Sequence, residues 1–132
     1  MSQDFADVRH YFETTAPVHV ATVMPDGGPH VVPVWVGVEG GRLAFFSDAG
    51  SRKDRNVQRD GRVAASVTAP DQPLDKAFVR GRVVERVEGD AALAIVDRIA
   101  QAYTGADYDV REGLVVFLVE PEVCCSHDYS AG

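Results

Sequence analysis

Leu114-Val115-Val116-Phe117-Leu118-Val119 is a run of consecutive apolar residues. Side chains alternate faces along a strand, so a strand of this kind is buried on both sides. The run lies in a final strand read over Gly113–Val123. The rest of the chain supplies partners for it. Val18–Val23 (V-H-V-A-T-V) alternates Val18, Val20 and Thr22 with His19, Ala21 and Val23. Pro25-Asp26-Gly27-Gly28-Pro29 is a strong turn signal. Val31–Val38 returns as a strand, and Glu39-Gly40-Gly41 turns again into a strand over Arg42–Ser47. Three strands with short turns predict an antiparallel meander. Pro33 lacks an N–H for the ladder, so its strand lies at an edge or carries a bulge. Beside Trp35 such an interruption leaves backbone groups free to face a ligand, or it is simply an edge-strand proline.

Further strands are predicted over Arg62–Ala69 and, after the loop Pro70–Pro73, over Lys76–Glu88. In the latter, strict alternation puts Phe78, Arg80, Arg82, Val84 and Arg86 on one face, and Val79, Gly81, Val83, Glu85 and Val87 on the other. Gly81 signals a bulge or a close backbone approach. Helical spacing covers Asp4–Glu13 and Asp90–Tyr103, the second with Asp90 as N-cap, a stripe of Leu93, Val96, Ile99 or Ala100, and Tyr103, and Gly105 as C-cap. Residues 104–112 form a polar loop, and the tail Asp128–Gly132 reads as poorly ordered. With a short helix in mid-chain, this makes about six strands, mostly antiparallel, and three helices. The fold class is mainly β: a small closed or split barrel with helices at its ends. At 132 residues the chain is expected to form a single domain over 1–132.

The mid-chain helix comes after the strand ending at Phe46 and Ser47. Gly50 breaks the strand, Ser51 is a good N-cap, and Asp54 three residues later gives a weak capping box. The first turn carries Arg52, Lys53 and Arg55, the wrong sign for a helix N-terminus, and cations there cost a few tenths of a kcal/mol each. An anion would reverse that balance, gathering free N–H groups, the Ser51 hydroxyl and the cations around it. The stretch alone supports either a phosphate site or a solvated basic face.

The formal charge is −7, which argues against general binding to nucleic acids or anionic membranes and sets the basic cluster apart from its background. Cys124 and Cys125 are adjacent and point to opposite faces of a strand, which disfavours a disulfide between them. With no secretory signal and no long apolar span, the chain reads as cytoplasmic and reduced. Cys-Cys-x-His at 124–127 is not a four-ligand zinc pattern, so no metal is expected. No catalytic triad is found; His19, His30 and His127 have ordinary explanations, and His30 is the best of them as a proton donor.

Several motifs stand in a familiar order: A-T-V-M-P-D-G-G-P-H at 21–30, P-V-W-V at 33–36, G-S-R-K-D-R-N at 50–56, D-G-R-V-A at 60–64, V-R-G-R-V at 79–83 and Y-T-G at 103–105. From about Phe12 to Val123 the chain resembles the split β-barrel flavin and deazaflavin proteins of the pyridoxamine 5′-phosphate oxidase superfamily. It is most similar to the small members that use coenzyme F420. The resemblance implies a six-stranded split barrel forming a homodimer with two cofactor sites at the interface. It implies that Lys53, Arg55 and Asn56 contact the phosphate end of the cofactor, near Ser51 and Arg52. Pro33, Val34 and Trp35 would lie along the tricyclic ring, with Phe46 and Ser47 beside the ring and its ribityl chain. Arg80 or Arg82 of the partner subunit would close the site. Relatives often carry Arg or Thr at the position of Ser51, and the residues with which the oxidase proper binds pyridoxal phosphate are not found. That argues against pyridoxamine phosphate oxidation.

The activity this resemblance implies is that of an F420-dependent reductase passing hydride to a small organic substrate, with the cofactor carrying the hard chemistry. An FMN-binding oxidoreductase of the same barrel and a non-catalytic flavin or haem carrier are the alternatives. The acidic tail of the deazaflavin favours F420, because it gives Arg52, Arg55 and Arg59 something to meet.

Overall fold

The computed structural model describes residues 2–131. Its strands are β1 (Val18–Val23), β2 (Pro29–Val34), β3 (Val36–Glu39), β4 (Arg42–Asp48), β5 (Arg62–Ala69), β6 (Gln72–Val87) and β7 (Leu114–Asp128). The helices are α1 (Phe5–Val8, continued by a 3-10 turn over Arg9–Phe12), α2 (Arg52–Arg59) and α3 (Gly89–Thr104). All seven strands join one sheet in the order β2-β1-β5-β6-β7-β4-β3.

β2 and β3 are consecutive in the chain and sit at opposite edges of the sheet, with Trp35 alone between them. One residue spans at most about 7 Å between its neighbours' Cα atoms. The sheet must therefore curl until its two edges meet at Trp35, and the barrel is split at that seam. This corrects the expected strand over Val31–Val38 and the expected meander: β1 pairs with β2 and β3 with β4, but the two hairpins are not joined by hydrogen bonds across Trp35. The same break makes seven strands where six were expected. Pro33 faces His19 on an edge strand, where its missing N–H costs nothing.

The apolar run of β7 is covered on both sides. Val115, Phe117 and Val119 face the barrel interior with Val8, Phe12, Val20 and Phe45. Leu114, Val116 and Leu118 face outward under Val96 and Ile99 of α3. The helix ends at Gly105, whose φ of 80° is the left-handed C-cap conformation that glycine adopts without strain. At its other end the N-cap is Glu88, not Asp90.

Tyr103 of α3 fastens the seam. Its hydroxyl accepts from the Val36 N–H at 3.2 Å and donates to the Ala16 carbonyl at 3.3 Å. Tyr103→Phe should lower the unfolding free energy by about 1 kcal/mol, measured by urea titration, since it strands a part-buried N–H without opening a cavity. No change would show that water replaces the hydroxyl at no cost.

β6 departs from strict alternation. At Gly81 the backbone of β7 comes so close that a Cβ would lie 2.1 Å from the Glu120 carbonyl oxygen, the close approach anticipated there. Val83 pairs with Val119 and Glu85 with Leu118, so Val84 is an extra residue. This bulge flips the phase of everything after it. Arg86, expected on the face of Arg80 and Arg82, instead lies opposite Phe117, on the interior side with Val83. β6 also begins inside the predicted loop, and β7 runs on to Asp128, followed by a 3-10 turn over Tyr129–Ala131. The tail read as poorly ordered thus carries the end of β7 and this turn, and Gly132 lies outside the described residues. Among the described residues no helix is long and apolar enough to cross a membrane.

Candidate functional site

The turn from β4 into α2 collects polar groups. Gly50, at φ 81°, makes the turn. Ser51 is the N-cap and its Oγ accepts from the Asp54 N–H at 3.2 Å. The Ser47 and Ser51 hydroxyls lie 2.7 Å apart. Ser51 and Arg55 spend their N–H groups on the carbonyls of Asp48 and Ser51, whereas those of Arg52 and Lys53 find no acceptor outside the turn among the described residues. The side chains are free too. Arg9, Arg42, Arg62, Arg82, Arg86, Arg98 and Arg111 are ion-paired, but Arg52, Lys53 and Arg55 have no carboxylate within 4.0 Å among the described residues. Burial pushes the Lys53 ammonium below the ordinary lysine value of 10.5, with Asp48 pulling it weakly back. A desolvated, unpaired cation beside two free N–H groups is a corner arranged for an anion.

What holds this corner is a pair that sequence reasoning missed. Asp54 is 1% exposed; Arg86 grips its carboxylate through two bonds of 2.7 Å. Gly50 N–H donates to it at 2.8 Å and Gln58 at 2.9 Å. So Asp54 does not complete the capping box with Ser51; it reaches one residue further back. The Arg86 guanidinium holds the Asp54 carboxyl below the usual carboxylate range, and burial opposes it. The bulge at Val84 brings Arg86 to this position, which a period-two count along β6 cannot show. On the next turn of α2, Asn56 is fully buried, donating to Thr22 Oγ1 at 3.0 Å and accepting from Arg59 at 3.2 Å. Arg59 also donates to the Val23 carbonyl. The helix is thus bolted to β1 on one side and to β6 on the other.

Beside it lies a hollow of about 340 Å³ lined by Pro33, Val34, Trp35, Phe46 and Ser47, with Asp48, Tyr108 and Leu114. Its walls are aromatic. Trp35 stacks on Tyr103 with centroids 5.1 Å apart at 13°. Tyr108 meets Trp35 and Phe46 edge-on, at 6.1 Å and 5.1 Å. Ser47 belongs to the hollow and touches Ser51, so the hollow and the cationic corner are continuous.

Five of the expected site residues therefore share one hollow; Ser51 joins it through Ser47, and Arg52 and Lys53 follow Ser51 in the first turn of α2. Arg55 is exposed on the helix. Asn56 is brought to the same helix, but its amide is engaged inward. Arg80 lies elsewhere in its own chain, in a hollow of about 400 Å³ on the outer face with Ala21 and Arg82. His30 shares a face of β2 with Val34 but stands four residues away, about 13 Å along the strand, and does not line the hollow; its buried Nδ1 has no hydrogen-bond partner among the described residues. Tyr108 and Asp48 were not anticipated: Tyr108 sits in a polar loop with no periodicity to mark it. Among the described residues no cluster of three or more His, Cys, Asp or Glu could hold a metal.

The sequence pattern of the pyridoxamine 5′-phosphate oxidase family matches residues 6–126. Among solved structures, one named an F420 reductase is 30% identical, with a TM-score of 0.79 over 89% of this chain and 94% of that one. A conserved hypothetical protein from Mycobacterium tuberculosis is 25% identical, with a TM-score of 0.80 over 97% of this chain and 85% of that one. A heme binding protein from Mycobacterium smegmatis shares the fold at 23% identity and a TM-score of 0.67, over 99% of this chain and 60% of that one. No curated protein matches by sequence.

Proposed function

Since the chain belongs to the pyridoxamine 5′-phosphate oxidase family, we propose that it is an F420-dependent reductase, with the cofactor ring in the Trp35–Phe46 hollow and its phosphate end at the start of α2. The observation that carries this reading is the continuity of an aromatic hollow with unpaired, part-buried cations and free helix N–H groups. The residues fit a ligand that is flat and apolar at one end and anionic at the other. Arg52 and Arg55 exceed what one phosphate needs, and they suit a cofactor with a further acidic tail. The similarity to the F420 reductase points the same way.

When bound, the reduced deazaflavin supplies a hydride for an electrophilic carbon of a small organic substrate. The protein's part is to bind and orient. Lys53, Arg52 and the Ser47–Ser51 hydroxyl pair fix the anionic end. Pro33, Val34, Trp35 and Phe46 keep water from one side of the ring. No side chain of the hollow stands out as a proton donor. In this reading a homodimer is the working unit, and Arg80, remote from the hollow in its own chain, reaches it from the partner. The protein works in the cytoplasm, where the thiols of Cys124 and Cys125 stay reduced.

Fluorescence titration of the purified protein with F420, FMN and haem tests the reading. F420 is expected to bind tightest, and assays of hydride transfer to enones, quinones and tetrapyrroles then search for the substrate. Tighter FMN binding would overturn the choice of cofactor. Binding without turnover on any acceptor would favour a carrier.

A further inference from the structure

The loop after α3 is polar and exposed, yet it is fastened at Tyr108. Asp97 Oδ1 accepts the Tyr108 N–H at 3.1 Å and a bond from Arg111 at 2.8 Å, while Oδ2 accepts a second from Arg111 at 3.0 Å. Arg111 also donates to the Tyr108 carbonyl at 2.9 Å. Both backbone polar groups of Tyr108 are therefore fixed by one ion pair, Asp97 of α3 with Arg111 of the loop itself. Gln101 adds a bond to Asp107 at 2.9 Å. Surface ion pairs of this kind contribute little to stability, so a cluster spent on one loop residue asks for another explanation. The side chain gives one: Tyr108 stands perpendicular to both Trp35 and Phe46, at interplanar angles of 76° and 74°, and forms a wall of the hollow.

We propose that Tyr108 is a ring-contacting residue of the cofactor site, held in place by Asp97 as a positioning residue. This rests on the proposed F420-dependent function and deepens it. The ring site is then built from two remote parts of the chain. The seam supplies Trp35 and its neighbours, and the loop supplies a wall whose placement depends on α3. An edge-on tyrosine presents its positive rim to the face of a flat π-system and limits the width of ligand that enters.

The test compares F420 and FMN with their phosphate-free counterparts, 8-hydroxy-5-deazariboflavin and riboflavin, by fluorescence titration. Tyr108→Ala is expected to weaken each chromophore that the wild type binds about tenfold or more, phosphorylated or not, because it removes ring contact. Tyr108→Phe keeps the wall and stays within about twofold. Lys53→Ala is expected to weaken only the phosphorylated pair. Asp97→Asn breaks the clamp and is expected to reproduce the Tyr108→Ala pattern in weaker form; with an unchanged melting temperature this marks positioning and not loss of fold. A wild type that binds its cofactor, with Tyr108→Ala binding it equally well, overturns this inference and leaves the proposed function standing. An Asp97→Asn protein indistinguishable from wild type overturns the positioning role. A wild type that binds none of the four compounds overturns both readings.

Discussion

Lys53→Ala is expected to raise the dissociation constant for F420 about 10- to 150-fold, the 1.5–3 kcal/mol of a charged hydrogen bond. The same substitution should leave the ligand-free protein as stable as before, or slightly more so. Burial already disfavours the ammonium, which lacks a carboxylate partner. A cation placed for stability would behave in the opposite way. Lys53 also makes stability and affinity respond to pH in opposite directions. Its pKa in the folded protein lies below its value of 10.5 in the unfolded chain. Between the two values the unfolded chain binds more protons, so this group's contribution to stability improves as pH rises through that window. Affinity moves the other way: an anion favours the charged lysine, so binding is flat at low pH and weakens as pH climbs through the lowered pKa. Titrations in alkaline buffers up to the ordinary lysine value of 10.5 should show this slope in the wild type and not in Lys53→Ala. An unchanged dissociation constant in the variant would place that ammonium in solvent and remove the basis of the phosphate site.

Asp54→Ala is expected to lower the unfolding free energy by about 3 kcal/mol, which is roughly a 10 °C fall in melting temperature for a domain of this size. The substitution takes the buried acceptor away from the Gly50 N–H and from Gln58, and leaves Arg86 paired with Glu88 alone. Arg86→Met should cost at least as much, because it leaves the carboxylate, only 1% exposed, without its partner. Asp54 carries a depressed pKa, so its contribution is present above the unfolded value of 3.8 and is lost as pH falls through the folded value. Thermal melts of wild type and variant should therefore converge in strong acid. A melting temperature unmoved by Asp54→Ala would show that this pair is ornamental and that α2 is held by its ties to β1 through Asn56 and Arg59. Both variants should also weaken cofactor binding, since Gly50, which makes the turn into α2, is held by this carboxylate.

Much of the architecture was legible where local chemistry decides it. β1, β5 and the start of α2 begin where alternation, glycine and a serine cap said they would. The double-sided burial of β7 came directly from its six apolar residues. What stayed hidden depends on partners far away in the chain. The seam at Trp35 carries no turn residue, so nothing local told Val31–Val38 to divide between opposite edges of one sheet. The bulge at Val84 is invisible in a valine-rich run, yet it decides which face Arg86 takes. Tyr108 lies in a loop whose shape is set by Asp97, eleven residues earlier. For the site, the residues near β4 and α2 were readable because a helix with the wrong charge at its start is a local contradiction. Tyr108, the wall across from them, was not, because loops lack a period.

The chain contains one tryptophan, and it occupies the gap between the two edges of the sheet. Its emission therefore has a single origin. Any slackening of the closure, any shift of Tyr103 against the indole or any guest between Trp35 and Phe46 alters the same signal. The molecule comes with a built-in optical gauge, readable at micromolar concentration without a label, of whether its walls are shut and whether anything lies between them.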